Sequence, residues 1–126
     1  MTMKSELGKV RGLGSAHDGT QHFFMQRVTA IANVPLVIFL LYFVISHIGT
    51  GRASVEASIK NPFAALALSL ALISICWHMK LGLQMVIEDY VQGHATKLIC
   101  LLMNIFFAFG LCGLGVLAIL KMSFGV

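Results

Sequence analysis

Ile75-Cys76-Trp77-His78-Met79-Lys80-Leu81-Gly82-Leu83-Gln84-Met85-Val86-Ile87-Glu88-Asp89-Tyr90 carries an apolar run into two acids and a tyrosine. The 17 uncharged residues from Phe63 to Met79 precede and overlap it. The stretch therefore reads as the later half of a membrane span that closes at an interface. A histidine at membrane depth is costly, and so is a functional candidate whose partner must be found.

Two further apolar runs flank this one. Val28 to Ile48 gives 21 residues without a charge, and Leu98 to Leu120 gives 23. At ~1.5 Å per residue each is long enough to cross a ~30 Å hydrocarbon core. The spacing predicts an all-α integral membrane protein with spans at about 28–48, 63–87 and 98–120. Pro35 predicts a kink in the first span, because proline removes a helix donor and crowds the preceding turn. Residues 49–61 read as a short loop, and Asn61-Pro62 as a helix start with a capping side chain and proline at the first position. Residues 1–27, with Gly8, Gly12, Gly14 and Gly19, read as an irregular polar arm with an interfacial piece near His22–Arg27.

Composition agrees with this. The chain is 58% hydrophobic and 11% charged, against about 25% charged in soluble domains, and its mean hydropathy is +0.88. The net charge of +4 sits at the ends and in the loops, without the clustered basic face that nucleic-acid binding needs. Cys76, Cys100 and Cys112 lie in apolar runs without Cys-x-x-Cys spacing and read as small buried hydrophobes. The first 27 residues lack the central apolar region of a signal peptide, so a bacterial inner membrane is expected ahead of an organellar one. Lys4, Lys9, Arg11, Arg27 and Lys97 fall on one side, and Arg52, Lys60 and Lys121 on the other. By the positive-inside rule the amino terminus is expected inside and the carboxyl terminus outside.

Depth separates the five histidines. His17, His22 and His94 fall on the inner side and His47 near the outer end of the first span. His78 lies roughly 15 Å above the inner interface at helical rise. A lone intramembrane histidine has a plain structural use, a hydrogen bond to Ser, Thr or a carbonyl of a neighbouring helix. Its functional use is as an axial ligand to haem iron. His47, roughly 28 Å up, sits about 13 Å too high to share an iron with His78. A second histidine ligand would therefore come from another polypeptide.

At about 100° per residue, Gly82 and Asp89 fall within about 40° of His78 and Lys80 about 200° away. Gly82 suits either a flat macrocycle or a close helix–helix approach. Lys80 has a stem long enough to snorkel to the inner headgroups. Asp89 and Tyr90 meet the inner interface near Arg27, a donor and charge set able to hold a quinone ring. Ordinary interfacial anchoring explains a tyrosine there equally well.

Two stretches carry a resemblance. Gly19-Thr20-Gln21-His22-Phe23-Phe24-Met25-Gln26-Arg27-Val28-Thr29-Ala30-Ile31-Ala32-Asn33-Val34-Pro35-Leu36 enters the first span, and His78 to Val91 closes the second with the pattern H-x-x-x-G-x-x-x-V-x-x-D-Y. With three spans and this length, the chain closely resembles the hydrophobic membrane anchor (D) subunit of succinate dehydrogenase, in its alphaproteobacterial or mitochondrial form. The resemblance runs from about residue 12 to the end, although the third span is generic.

The resemblance implies an anchor without a complete active site of its own. Its partners would be a cytochrome b subunit, an iron–sulfur subunit and a flavoprotein subunit. It implies one haem b shared with the cytochrome subunit, with His78 as the anchor's axial ligand, and ubiquinone as bound substrate with Tyr90 as hydrogen-bond donor. Asp89 is implied in the quinone-site network, and Arg27 near the haem propionates and quinone pocket. Gln92-Gly93-His94 and His22-Phe23-Phe24 depart from the usual pattern, which blurs detail at the quinone pocket. A haem-free fumarate reductase anchor and a structural or assembly membrane protein are the alternatives.

Overall fold

The computed structural model describes residues 7, 10–12 and 18–126. Four helices follow one another from residue 18 onward: α1 Asp18–Ser46, α2 Arg52–Ile59, α3 Pro62–Tyr90 and α4 His94–Phe124. Three of them are long and apolar enough to cross a membrane, over Gly19–Ser46, Pro62–Tyr90 and His94–Phe124. The chain is an all-helical, three-span membrane protein, as the apolar runs predicted.

The helix ends differ from the ends of those runs for a physical reason. A helix stops where its backbone bonding is interrupted, whereas a hydropathy run stops at the first charge. Residues 18–27, expected in the irregular arm 1–27, instead form the opening turns of α1; of the rest of that arm only residues 7 and 10–12 are described. At ~1.5 Å per residue the 29 residues of α3 span about 43 Å, so its last turns stand beyond the hydrocarbon core. Asn61 caps α3, its side chain accepting from the Phe63 N–H at 3.0 Å with Pro62 at the first position. Gly125, at φ 72°, takes the left-handed conformation that closes α4 and returns its N–H to the Lys121 carbonyl. α1 runs unbroken through Pro35.

The expected loop at 49–61 contains α2. Val55 and Ile59, four apart, turn one face inward against Phe39, Leu40 and Phe43 of α1, Ala65 and Leu68 of α3, and Ile119 and Met122 of α4. On the outer face Arg52 Nε donates to Glu56 Oε1 at 2.6 Å. An exposed pair of this kind contributes roughly 0.3–0.5 kcal/mol, so the apolar face is what holds the helix down. His47 ties α1 to α2: its Nδ1 bonds the Phe43 carbonyl at 2.7 Å and its Nε2 the Ser58 hydroxyl at 2.8 Å.

α3 lies between the other two spans and packs on both, while α1 and α4 make no close approach to each other among the described residues. Small residues let the helices come near, which is how spans associate where lipid supplies no hydrophobic drive. Ala65, Ala71 and Cys76 of α3 and Ala108 of α4 are buried. Gly115 of α4 sits where an added Cβ would collide with Leu72 Cδ2. Gly115→Leu is expected to force α3 and α4 apart at a cost of about 1–3 kcal/mol, the usual penalty for overpacking. A lowered melting temperature of the detergent-solubilised protein measures it.

A row of three helices leaves much apolar surface uncovered. Ile31, Ile38 and Ile45 on α1 and Phe106, Leu114 and Leu117 on α4 are all more than half exposed. Lipid or neighbouring subunits must cover these faces.

Candidate functional site

α1 turns a line of polar side chains toward α3. His22, Gln26, Thr29 and Asn33 follow at intervals of four, three and four residues, which at about 100° per residue keeps them on one face. Three buried atoms along this line, His22 Nε2, Gln26 Oε1 and Asn33 Oδ1, have no partner among the described residues. Buried polar atoms are nearly always satisfied, which marks this line as a candidate site.

His78 faces this line. Its Nδ1 lies 3.0 Å from Thr29 Oγ1, and that hydroxyl also lies 2.8 Å from the Met25 carbonyl and 3.1 Å from the Gln26 carbonyl. The cross-helix bond expected of a structural histidine is therefore present. It occupies only one ring nitrogen; Nε2 makes no hydrogen bond among the described residues. His47, by contrast, commits both nitrogens just beyond the carboxyl-terminal end of α1. Both of its ring nitrogens are thus engaged within the chain.

Gly82, one turn below His78, is covered by the Gln26 amide, 3.7 Å from where a Cβ would stand. Of the two uses foreseen for this glycine, the chain itself shows the helix–helix contact.

Toward the start of α1 and the end of α3 lies an open cleft of about 670 Å³. Arg27 and Asp89 both line it, with His22, Gln26, Gln84 and Glu88. The Arg27 guanidinium stacks 4.8 Å from the centroid of Phe23. Gln84 donates to Glu88 Oε1 at 2.8 Å, and Lys97 of α4 donates to the Glu88 carbonyl at 2.9 Å. Tyr90 is not part of this cleft. It is 80% exposed, because the helix turns it about 120° from His78. Arg27 and Asp89 are thus brought together, and Tyr90 is left outside their cleft.

The opposite face of α3 holds an apolar cavity of about 160 Å³ lined by Ile73, Cys76, Trp77, Lys80, Ala108, Phe109 and Cys112. Lys80 lies beside Trp77 of its own helix. Its ammonium rests 5.1 Å from the Trp77 ring centroid, where the ring quadrupole attracts a cation. The Lys80 carbonyl accepts from buried Asn104 of α4 at 2.9 Å.

No group of three or more His, Cys, Asp or Glu side chains that could hold a metal ion occurs among the described residues. A haem brings four ring nitrogens of its own and asks a chain for axial donors only. His78, with Nδ1 engaged and Nε2 available, fits that demand, and the unsatisfied atoms of the α1 line fit a polar group placed beside it.

These features define a small three-span membrane protein with an unsatisfied polar line between two of its spans and wide apolar flanks. Residues 1–112 match the family model described as succinate dehydrogenase/fumarate reductase transmembrane subunit, and the chain belongs to that family. It is 35% identical to the succinate dehydrogenase hydrophobic membrane anchor subunit of Rickettsia bellii over 71% of each chain. It is 32% identical to the subunit of the same name in Paracoccus denitrificans, over 90% of this chain and 88% of that one. A succinate dehydrogenase membrane anchor subunit of Reclinomonas americana is 27% identical over 64% of this chain and 70% of that one. No solved structure matches significantly.

The polar line on α1 escaped the reading of the sequence except for Arg27 at its edge. Four polar residues at heptad-like spacing in an otherwise apolar helix were the available signal. The expected position of the first span, starting at Val28, hid it by assigning His22 and Gln26 to the arm.

Proposed function

We propose that this chain is the membrane anchor of a quinone-reducing succinate dehydrogenase. In this role it supplies one axial ligand to a haem b and one wall of a ubiquinone site. The observation that carries the proposal is His78, held at mid-span by a bond at Nδ1 that leaves Nε2 to coordinate iron. The other axial ligand comes from a cytochrome b subunit, since His47 is spent elsewhere.

Bound there, the haem would supply a one-electron store beside the quinone. The chain's own residues bind and orient. His78, on α3, would hold the iron through Nε2. Arg27, in the inner cleft, supplies positive charge for propionates or a quinone oxygen. Asp89 in the same cleft takes part in the hydrogen-bond network. Tyr90, at the end of α3, offers its hydroxyl to a quinone carbonyl across the interface with the neighbouring subunits. The anchor contains no complete active site; succinate oxidation belongs to a flavoprotein subunit, and electrons arrive through an iron–sulfur subunit. The excess of Lys and Arg on the side of Arg27 and Lys97 puts that side in the cytoplasm of a bacterium, with the spans in the inner membrane and the carboxyl terminus outside.

A haem-free fumarate reductase anchor shares the fold. A reduced-minus-oxidised spectrum of the purified membrane complex separates the two. A b-type α-band is expected, and its absence would sink the haem assignment.

A further inference from the structure

The hydroxyl of Thr29 meets three groups at once: the Met25 carbonyl at 2.8 Å, the Gln26 carbonyl at 3.1 Å and His78 Nδ1 at 3.0 Å. It has one proton to give. Both carbonyls can only accept, so the proton must point to one of them. Were it turned to His78, Oγ1 would face two carbonyl oxygens at hydrogen-bond distance with nothing between, a repulsive arrangement. Nδ1 must therefore be the donor in the remaining contact. The ring is held as its Nδ1–H tautomer, with the lone pair on Nε2.

We infer that Thr29 is the positioning residue for His78, setting the tautomer, the ring rotation and the electron-donating strength of Nε2. The inference rests on the proposed role of His78 as haem ligand. A ligating histidine that donates its other N–H to an acceptor becomes a more basic ligand, and a more basic ligand favours ferric over ferrous iron. Thr29 is suited to the task because Met25 and Gln26 lie in its own helix. The backbone of α1 fixes the hydroxyl, and the hydroxyl then fixes a ring on α3. Thr29 does not touch the iron; it acts through His78.

The test is a Thr29 series in the assembled holo complex: Thr29→Val, which keeps the shape and removes the acceptor, and Thr29→Ser, which keeps the hydroxyl. The readouts are the haem midpoint potential, from a redox titration, and the electron paramagnetic resonance signal of the ferric haem. Thr29→Val is expected to raise the potential, by about 59 mV if the ferric preference falls tenfold in a one-electron couple, and to move the low-spin signal. Thr29→Ser is expected to restore both to the wild-type values. If Thr29→Val does not assemble, Thr29→Cys, close in size but a weak acceptor, takes its place with a smaller shift in the same direction. An unchanged potential and signal in Thr29→Val or Thr29→Cys would overturn the inference and leave Thr29 as a packing contact between helices. Failure of the underlying haem proposal looks different: the wild-type complex shows no b-type band, or His78→Ala leaves that band unaltered.

Discussion

His78→Ala is expected to abolish the six-coordinate, low-spin signature of the haem proposed for the assembled complex. Iron would keep at most the ligand from the neighbouring subunit, so the ferric spectrum should move to a five-coordinate, high-spin form. Losing the outer-shell partner of a ligand already costs about 10–100-fold in metal affinity. Loss of the ligand itself should cost about 100-fold or more, read as haem lost on dilution or extraction. The fold should tolerate the change. His78 is only partly buried, and the Thr29 hydroxyl it leaves behind still donates within α1. No charge is stranded, and the remaining defect is one imidazole of space, which lipid or a neighbouring subunit can fill. A normal low-spin signal with normal quinone reduction in His78→Ala would reduce this histidine to the helix-pinning role that its Nδ1 bond already provides.

The main features were legible because lipid imposes a simple rule: apolar length and few charges. Three runs gave three spans, and Asn61-Pro62 gave the start of α3 to the residue. What stayed hidden depended on partners distant in sequence. Nothing local says that Gln26 will cover Gly82, or that Thr29 will meet His78 across 49 residues. Helical phase put Asp89 on the face of His78, and Asp89 does share the cleft with Arg27. Extending the same phase one residue further would have turned Tyr90 away. Lys80 was placed correctly opposite His78, yet its attraction to Trp77 needed the three-residue spacing to be weighed against the pull of the headgroups. α2 was missed because eight residues with a modest apolar face look like a loop until Val55 and Ile59 are seen to meet α1, α3 and α4 together.

Tyr90→Phe is expected to impair quinone reduction while sparing everything upstream. The ring is 80% exposed and its hydroxyl makes no hydrogen bond among the described residues. Removing that oxygen therefore takes nothing from the chain's own stability, and exposed substitutions of this kind usually stay within about 0.5 kcal/mol. A belt tyrosine would behave the same way with respect to folding, so stability cannot tell the two roles apart; kinetics can. Loss of a single donor to an oxygen that gains charge in the reaction costs about 100-fold or more in turnover. Succinate oxidation with an artificial dye that takes electrons ahead of the quinone should continue at the wild-type rate. If the hydroxyl only helps to hold the ground-state ring, KM for quinone should rise while kcat stays put. Unchanged quinone kinetics would remove Tyr90 from the site altogether and leave it in the interfacial belt. The turn of about 120° between Tyr90 and His78 adds a further requirement. If both residues are functional, α3 serves two different neighbours at two depths. In that case Tyr90→Phe must leave the haem potential alone, just as Thr29→Val must leave the KM for quinone alone.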